Sequence, residues 1–60
     1  MAQKSQHHRP RILIVDDDGL LREVLREMLE EQGYRVSTTG DGRAALRLLQ
    51  AKGFDLVLTD

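Results

Sequence analysis

Four consecutive apolar residues, Ile12-Leu13-Ile14-Val15, run directly into three aspartates, Asp16-Asp17-Asp18. An unbroken apolar run rich in β-branched side chains reads as a strand covered on both faces, the pattern of a parallel sheet. A second run, Asp55-Leu56-Val57-Leu58-Thr59, stops at Asp60. Charges that follow such strands emerge at their carboxyl ends, where open α/β sheets do their chemistry. If the two strands are neighbours, Asp16, Asp17 and Asp60 converge on one acidic site.

The residues between the two runs alternate in the same sense. Leu20, Leu21, Val24, Leu25, Met28 and Leu29 recur at helical spacing and predict one apolar stripe, read as core. Arg22, Glu23, Arg26, Glu27, Glu30 and Glu31 fill the opposite face, with Arg26 and Glu30 one turn apart. Asp18 or Gly19 is placed to cap this helix, and Gly33 to end it in a left-handed conformation. Tyr34 to Thr38 predicts a shorter, more polar strand of the kind found at a sheet edge. Gly40-Asp41-Gly42 predicts a turn, with Asp41 as cap of a second helix over 43–52. Ala44, Ala45, Leu46, Leu48 and Leu49 of that helix are expected to face inward, Gly53 to close it, and 54–59 to form the third strand. The order is β-α-β-α-β with short connections, so right-handed crossovers and parallel strands are expected. The most apolar strands, first and third, should lie side by side, which gives spatial order 2-1-3.

Sixty residues allow one small domain, and a chain of that length buries only about 60% of its unfolded surface. The absence of cysteine removes disulfides and thiolate metal sites and fits a reducing cytoplasm. A net charge of −1 gives no global argument for nucleic acid or an anionic membrane. No apolar run is long enough to span a bilayer. Residues 1–10, with Lys4, His7, His8 and Arg9, read as a flexible leader without aromatics for base stacking. Residues 11–60 are then the folded part.

The strand ending in Asp16-Asp17, the helix closed by Gly33-Tyr34, the spacing of Val36, Gly42, Ala45 and Leu46, and the terminal Phe54-Asp55-Leu56-Val57-Leu58-Thr59-Asp60 together resemble the receiver domain of two-component response regulators. The match runs in register from Arg11 to Asp60. The resemblance implies a three-layer α/β, flavodoxin-like (CheY-like) receiver fold, represented here by its β1-α1-β2-α2-β3 half. It implies that Asp60 is the phosphoacceptor of a phosphorelay, served by a sensor histidine kinase or phosphotransfer protein. Asp16 and Asp17, with Asp60, then become ligands of a magnesium ion, while Asp18 falls one place beyond the acid pair and is not assigned to the metal. A receiver of this family is about twice as long, within the usual range for one domain. Its later metal-binding loop carbonyl, Ser/Thr and Lys have no counterpart in these residues. The 60-residue chain is therefore expected to show weak or no regulated phosphotransfer by itself. Nucleic-acid contact is expected only through an output domain not included here.

Elementary electrostatics reaches the same metal. Two like charges about 4 Å apart at an effective dielectric of 20 repel by about 4 kcal/mol, so three clustered carboxylates call for a divalent cation among them. Magnesium accepts one or two carboxylates plus phosphate oxygens and keeps several waters.

Two other classes compete. Val15-Asp16-Asp17-Asp18-Gly19 also fits the Asp-x-Asp-Gly pattern of haloacid-dehalogenase-type phosphatases, with Asp16 as nucleophile and Asp18 as general acid/base. The helical stripe starting at Leu20 leaves no room for their flap. A non-catalytic interaction or fragment protein is the other alternative. Its third strand would be an unpaired apolar edge, one face of the central strand would lack a covering helix, and two copies would join antiparallel through their third strands as a homodimer. A dinucleotide-binding unit fits less well, because aspartates that would repel a pyrophosphate stand where its glycine-rich loop should be. An EF-hand lacks the second half of its ligand set.

Overall fold

The computed structural model describes residues 9–59. Its elements are β1 (Arg11–Val15), α1 (Gly19–Glu31), β2 (Arg35–Thr39), α2 (Gly42–Ala51) and β3 (Leu56–Thr59). The three strands form one parallel sheet in the order β2-β1-β3. This is the truncated flavodoxin-like arrangement expected from the apolar ranking of the strands. Of the leader, Arg9 and Pro10 are described, and the Pro10 carbonyl accepts from the Arg35 N–H at 2.9 Å. His7, His8 and Asp60 lie outside the described residues.

β1 is central because it alone can be buried on both sides. Ile12, Leu13 and Ile14 retain 3%, 0% and 1% of their exposure. Successive strand residues point to opposite faces, so Leu13 serves one layer and the two isoleucines the other. α1 and α2 each pack on β1 and β2 and make no packing contact with each other, as helices on opposite faces of a sheet do. The expected bare face of the central strand is therefore not found: both faces of β1 are covered. Neither helix packs on β3, and the exposure falls there instead, at Leu56 and Val57.

The caps explain where the helices start and stop. Asp18 is the N-cap of α1, its Oδ1 accepting from the N–H groups of Leu20 and Leu21 at 3.1 and 3.2 Å. At the other end the Gly33 N–H donates to the Glu30 carbonyl at 3.0 Å and the Tyr34 N–H to the Leu29 carbonyl at 3.2 Å. Those two bonds, with Gly33 at φ +96°, make a Schellman motif. Asp41 caps α2 through the Arg43 N–H. Gly53 does not close α2 with a left-handed turn. The helix ends at Ala51 and the chain leaves through an extended Lys52, φ −136° and ψ 153°.

β3 is shorter than 54–59. Its first pairing contact is a reciprocal clasp: the Asp55 N–H donates to the Arg11 carbonyl, and the Arg11 N–H donates to Asp55 Oδ2, both at 2.8 Å. A side chain thus replaces a backbone carbonyl where the ladder begins.

Two expectations about the helices need correction. In α1, Leu25 and Leu29 are half-buried, but Leu20, Leu21, Val24 and Met28 are exposed. In α2, Ala45 is buried and Ala44 and Leu48 half-buried, whereas Leu46 and Leu49 are exposed. Each helix lies over β1 and β2 only, so the flanks of an apolar stripe wider than that two-strand groove meet nothing among the described residues.

On the outer face of α1, Arg26 pairs with Glu30 as the spacing predicts, at 2.7 Å, and also with Glu23. The hydrogen bond from Arg26 holds the Glu23 carboxyl below its usual range. Exposed pairs of this kind contribute little.

Candidate functional site

Parallel pairing sends all three strands out at the same rim. Val15 is in register with Thr39 on one side and with Thr59 on the other. The next residue of β1 is therefore delivered beside the carboxyl end of β3, whatever the side chains. An open pocket of about 280 Å³ at this rim is lined by Val15, Asp16, Asp17, Gly40 and Thr59.

Asp16 is held at three points. Its N–H donates to the Thr39 carbonyl at 3.1 Å, extending the β1–β2 ladder by one bond. Its carbonyl accepts from Arg22 Nη1 at 2.6 Å. Its Oδ1 accepts from the Asp18 N–H at 2.9 Å, an Asx turn that reverses the chain into α1. Among the described residues Oδ2 has no hydrogen-bond partner, so one oxygen of a half-buried carboxylate remains available to a ligand. Asp17 is exposed and its side chain makes no hydrogen bond among the described residues. The pair offers hard oxygen donors at one rim, a donor set that suits magnesium with retained waters. Among the described residues no cluster of three or more acidic or histidine groups could hold a metal ion.

Each candidate has a distinct place. Asp16 and Asp17 share the pocket. Asp18 faces its own helix and serves as its cap, and α1 begins directly after it at Gly19. Asp60, next in sequence after Thr59, lies outside the described residues. Thr39 is a strand residue whose Oγ1 accepts from the Asp41 N–H at 3.2 Å.

Arg22 was not legible as part of this site. By periodicity it belongs to the solvent face of α1, yet it is half-buried and reaches back six residues to the β1 end. The only signal in the sequence is a pair of glycines, Gly19 and Gly40, beside its guanidinium, and their proximity requires the fold.

A larger depression of about 490 Å³ opens on the opposite rim, lined among others by Arg9, Arg11, Arg35, Lys52 and Asp55. It contains no carboxylate pair and sits at the amino ends of the strands, away from the chemistry expected of an open α/β sheet.

The family model of the response regulator receiver domain matches residues 12–60. Among curated proteins, the chain is 45% identical over 58 residues to the CAI-1 autoinducer sensor kinase/phosphatase CqsS of Vibrio cholerae, covering 97% of this chain and 8% of that protein. It is 44% identical over 52 residues to the two-component response regulator ARR11 of Arabidopsis thaliana, covering 83% of this chain and 10% of that protein. It is 45% identical over 51 residues to the transcriptional regulatory protein PdtaR of Mycobacterium tuberculosis, covering 83% of this chain and 25% of that protein. The chain thus spans a quarter or less of these relatives. No solved structure matches it.

Proposed function

We propose, for a chain that belongs to the response regulator receiver domain family, that Asp60 accepts a phosphoryl group from the phosphohistidine of a sensor kinase or phosphotransfer protein. The observation that supports this most is the register Val15↔Thr59, since strands ending level at one rim are followed by acids in both cases. In the transfer the P–N bond of the donor breaks, a P–O bond forms to a carboxylate oxygen of Asp60, and the imidazole leaves. Phosphoryl transfer demands mainly positioning and cancellation of charge on the equatorial oxygens. Asp16 and Asp17 would hold a magnesium ion, which when bound supplies that cancellation. The bonds to Asp18 and Thr39 keep the Asp16 carboxylate oriented, and the open pocket admits the donor.

The setting that goes with this reading is the cytoplasm, where such kinases place their phosphohistidine. No described helix is long and apolar enough to cross a membrane. The relatives are several times longer, so transfer by these residues alone is expected to be slow and substoichiometric. Incubation with acetyl phosphate and magnesium should add one phosphoryl mass to a minor fraction, mapped to Asp60 and absent from Asp60→Asn. Modification elsewhere, or none at any magnesium concentration, rejects the assignment.

The exposed edge of β3 supports a second proposal. Leu56 and Val57 are 49% and 37% exposed, and the β3 edge away from β1 has no strand partner among the described residues. An unpaired apolar edge recruits another strand, and two copies meeting antiparallel satisfy both edges with two-fold symmetry. Sedimentation at micromolar concentration should give a dimer that Val57→Lys dissociates. A folded monomer of the unaltered chain rules the pairing out.

A further inference from the structure

We infer that Arg22 is a positioning residue for the acid pair, locking the Asp16 peptide from beneath, and that Gly40 is glycine to leave room for its guanidinium. The inference rests on the proposed magnesium role of Asp16 and Asp17. Its basis is one crowded corner. Arg22 Nη1 donates to the Asp16 carbonyl at 2.6 Å in a partly buried setting. A Cβ built on Gly40 would lie 2.6 Å from that same nitrogen and 3.4 Å from the Asp16 carbonyl oxygen, and one on Gly19 would lie 3.6 Å from Nη2. The guanidinium therefore occupies the gap between the β1–α1 and β2–α2 turns, and a side chain at Gly40 would require this flexible end of Arg22 to shift. The Gly40 backbone lines the acidic pocket.

The contact matters because the Asp16 carbonyl sits at the pivot of the acid pair. Rotation of the peptide joining Asp16 to Asp17 swings that carbonyl and turns the two carboxylates relative to each other. The Thr39 and Asp18 bonds fix the amide and Oδ1 of Asp16, and Arg22 fixes its carbonyl, leaving Oδ2 open to a ligand. Groups that orient metal ligands without touching the metal typically change affinity by about 10–100-fold when removed.

A fixed cation near the site also repels a dication, and this gives the test its discriminating sign. If Arg22 acted only as a neighbouring charge, Arg22→Gln would tighten magnesium binding. If it positions the acid pair, the same change weakens it. Magnesium titration of the full 15N-labelled chain, read at the Asp16 and Asp17 amides, should give about tenfold weaker binding in Arg22→Gln. Gly40→Ala keeps every charge and displaces the guanidinium, so it should weaken binding similarly. Arg22→Lys keeps the charge without the planar fork and should not restore affinity.

The guanidinium signals of Arg22 should be resolved and slowly exchanging in the unaltered chain, unlike those of exposed Arg43 and Arg47, and should average in Gly40→Ala. Unchanged or tighter magnesium binding in Arg22→Gln overturns the role of Arg22 and leaves the metal reading intact, as do averaged Arg22 signals in the unaltered chain. Absence of any magnesium-dependent shift at Asp16 and Asp17 in the unaltered chain overturns the metal reading itself, and the positioning role with it.

Discussion

Leu13→Ala is expected to leave the chain largely unfolded at room temperature. Leu13 is fully buried at the middle of the central strand, flanked in sequence by Ile12 and Ile14, which serve the other layer. Deleting a buried leucine to Cβ costs about 2–5 kcal/mol, because the cavity collapses only in part. A single core in a chain below 70 residues rarely supplies more than about 3–5 kcal/mol, so one substitution approaches the whole margin. Among the described residues the buried apolar ones are Ile12, Leu13, Ile14 and Ala45, and no second cluster compensates. Far-UV circular dichroism and a urea transition check the result. Leu20→Ala is the control: Leu20 is 77% exposed and its loss should shift stability by about 0.5 kcal/mol or less. A cooperative transition and native dichroism in Leu13→Ala would show that the core is distributed elsewhere.

The second large effect concerns Asp16→Asn with Asp17→Asn. Asparagine keeps an oxygen where Asp16 Oδ1 accepts from the Asp18 N–H, so the Asx turn and the cap of α1 survive. What disappears is charge. Each carboxylate about 4 Å from a unit cation at an effective dielectric of 20 contributes about 4 kcal/mol, a figure that water at this open pocket reduces severalfold. The double variant should therefore lose magnesium binding by far more than the tenfold expected at Arg22, leaving no saturable response. Its metal-free stability should move the opposite way, rising by a fraction of a kcal/mol as like-charge repulsion is relieved. Magnesium titration and urea unfolding on the same samples read both signs. Retained magnesium saturation would place the ion away from this pair.

Element order, strand order and caps were legible because each depends on a local pattern with one physical reading. Ile12 to Val15 has no polar residue to turn outward, so it must be central. Asp18 and Asp41 precede apolar periodicity, and Gly33 follows it, so they cap. Errors arose where burial depends on what lies across the gap. Leu20, Met28, Leu46 and Leu49 have the spacing of core residues, but periodicity reports only which side of a helix is apolar. It does not report how wide a groove that side meets. The same limit explains β3: its start at Leu56 rather than Phe54 follows from Asp55 bonding Arg11 across the sheet, a long-range contact no window of sequence contains. In the site, the acid pair was readable because it follows a strand. Arg22 was not, since its function depends on the space left by a glycine eighteen positions away.

Of the three described strands, the first to leave a ribosome is the one that ends in the middle of the sheet. Its register partners lie 24 residues later in β2 and 44 residues later in β3. Until Leu56 to Thr59 emerge, one side of the most apolar segment has no ladder to join, and pairing so distant in sequence forms slowly. During synthesis the nascent chain therefore carries a sticky, half-satisfied ribbon until β3 has emerged and the Asp55–Arg11 clasp closes.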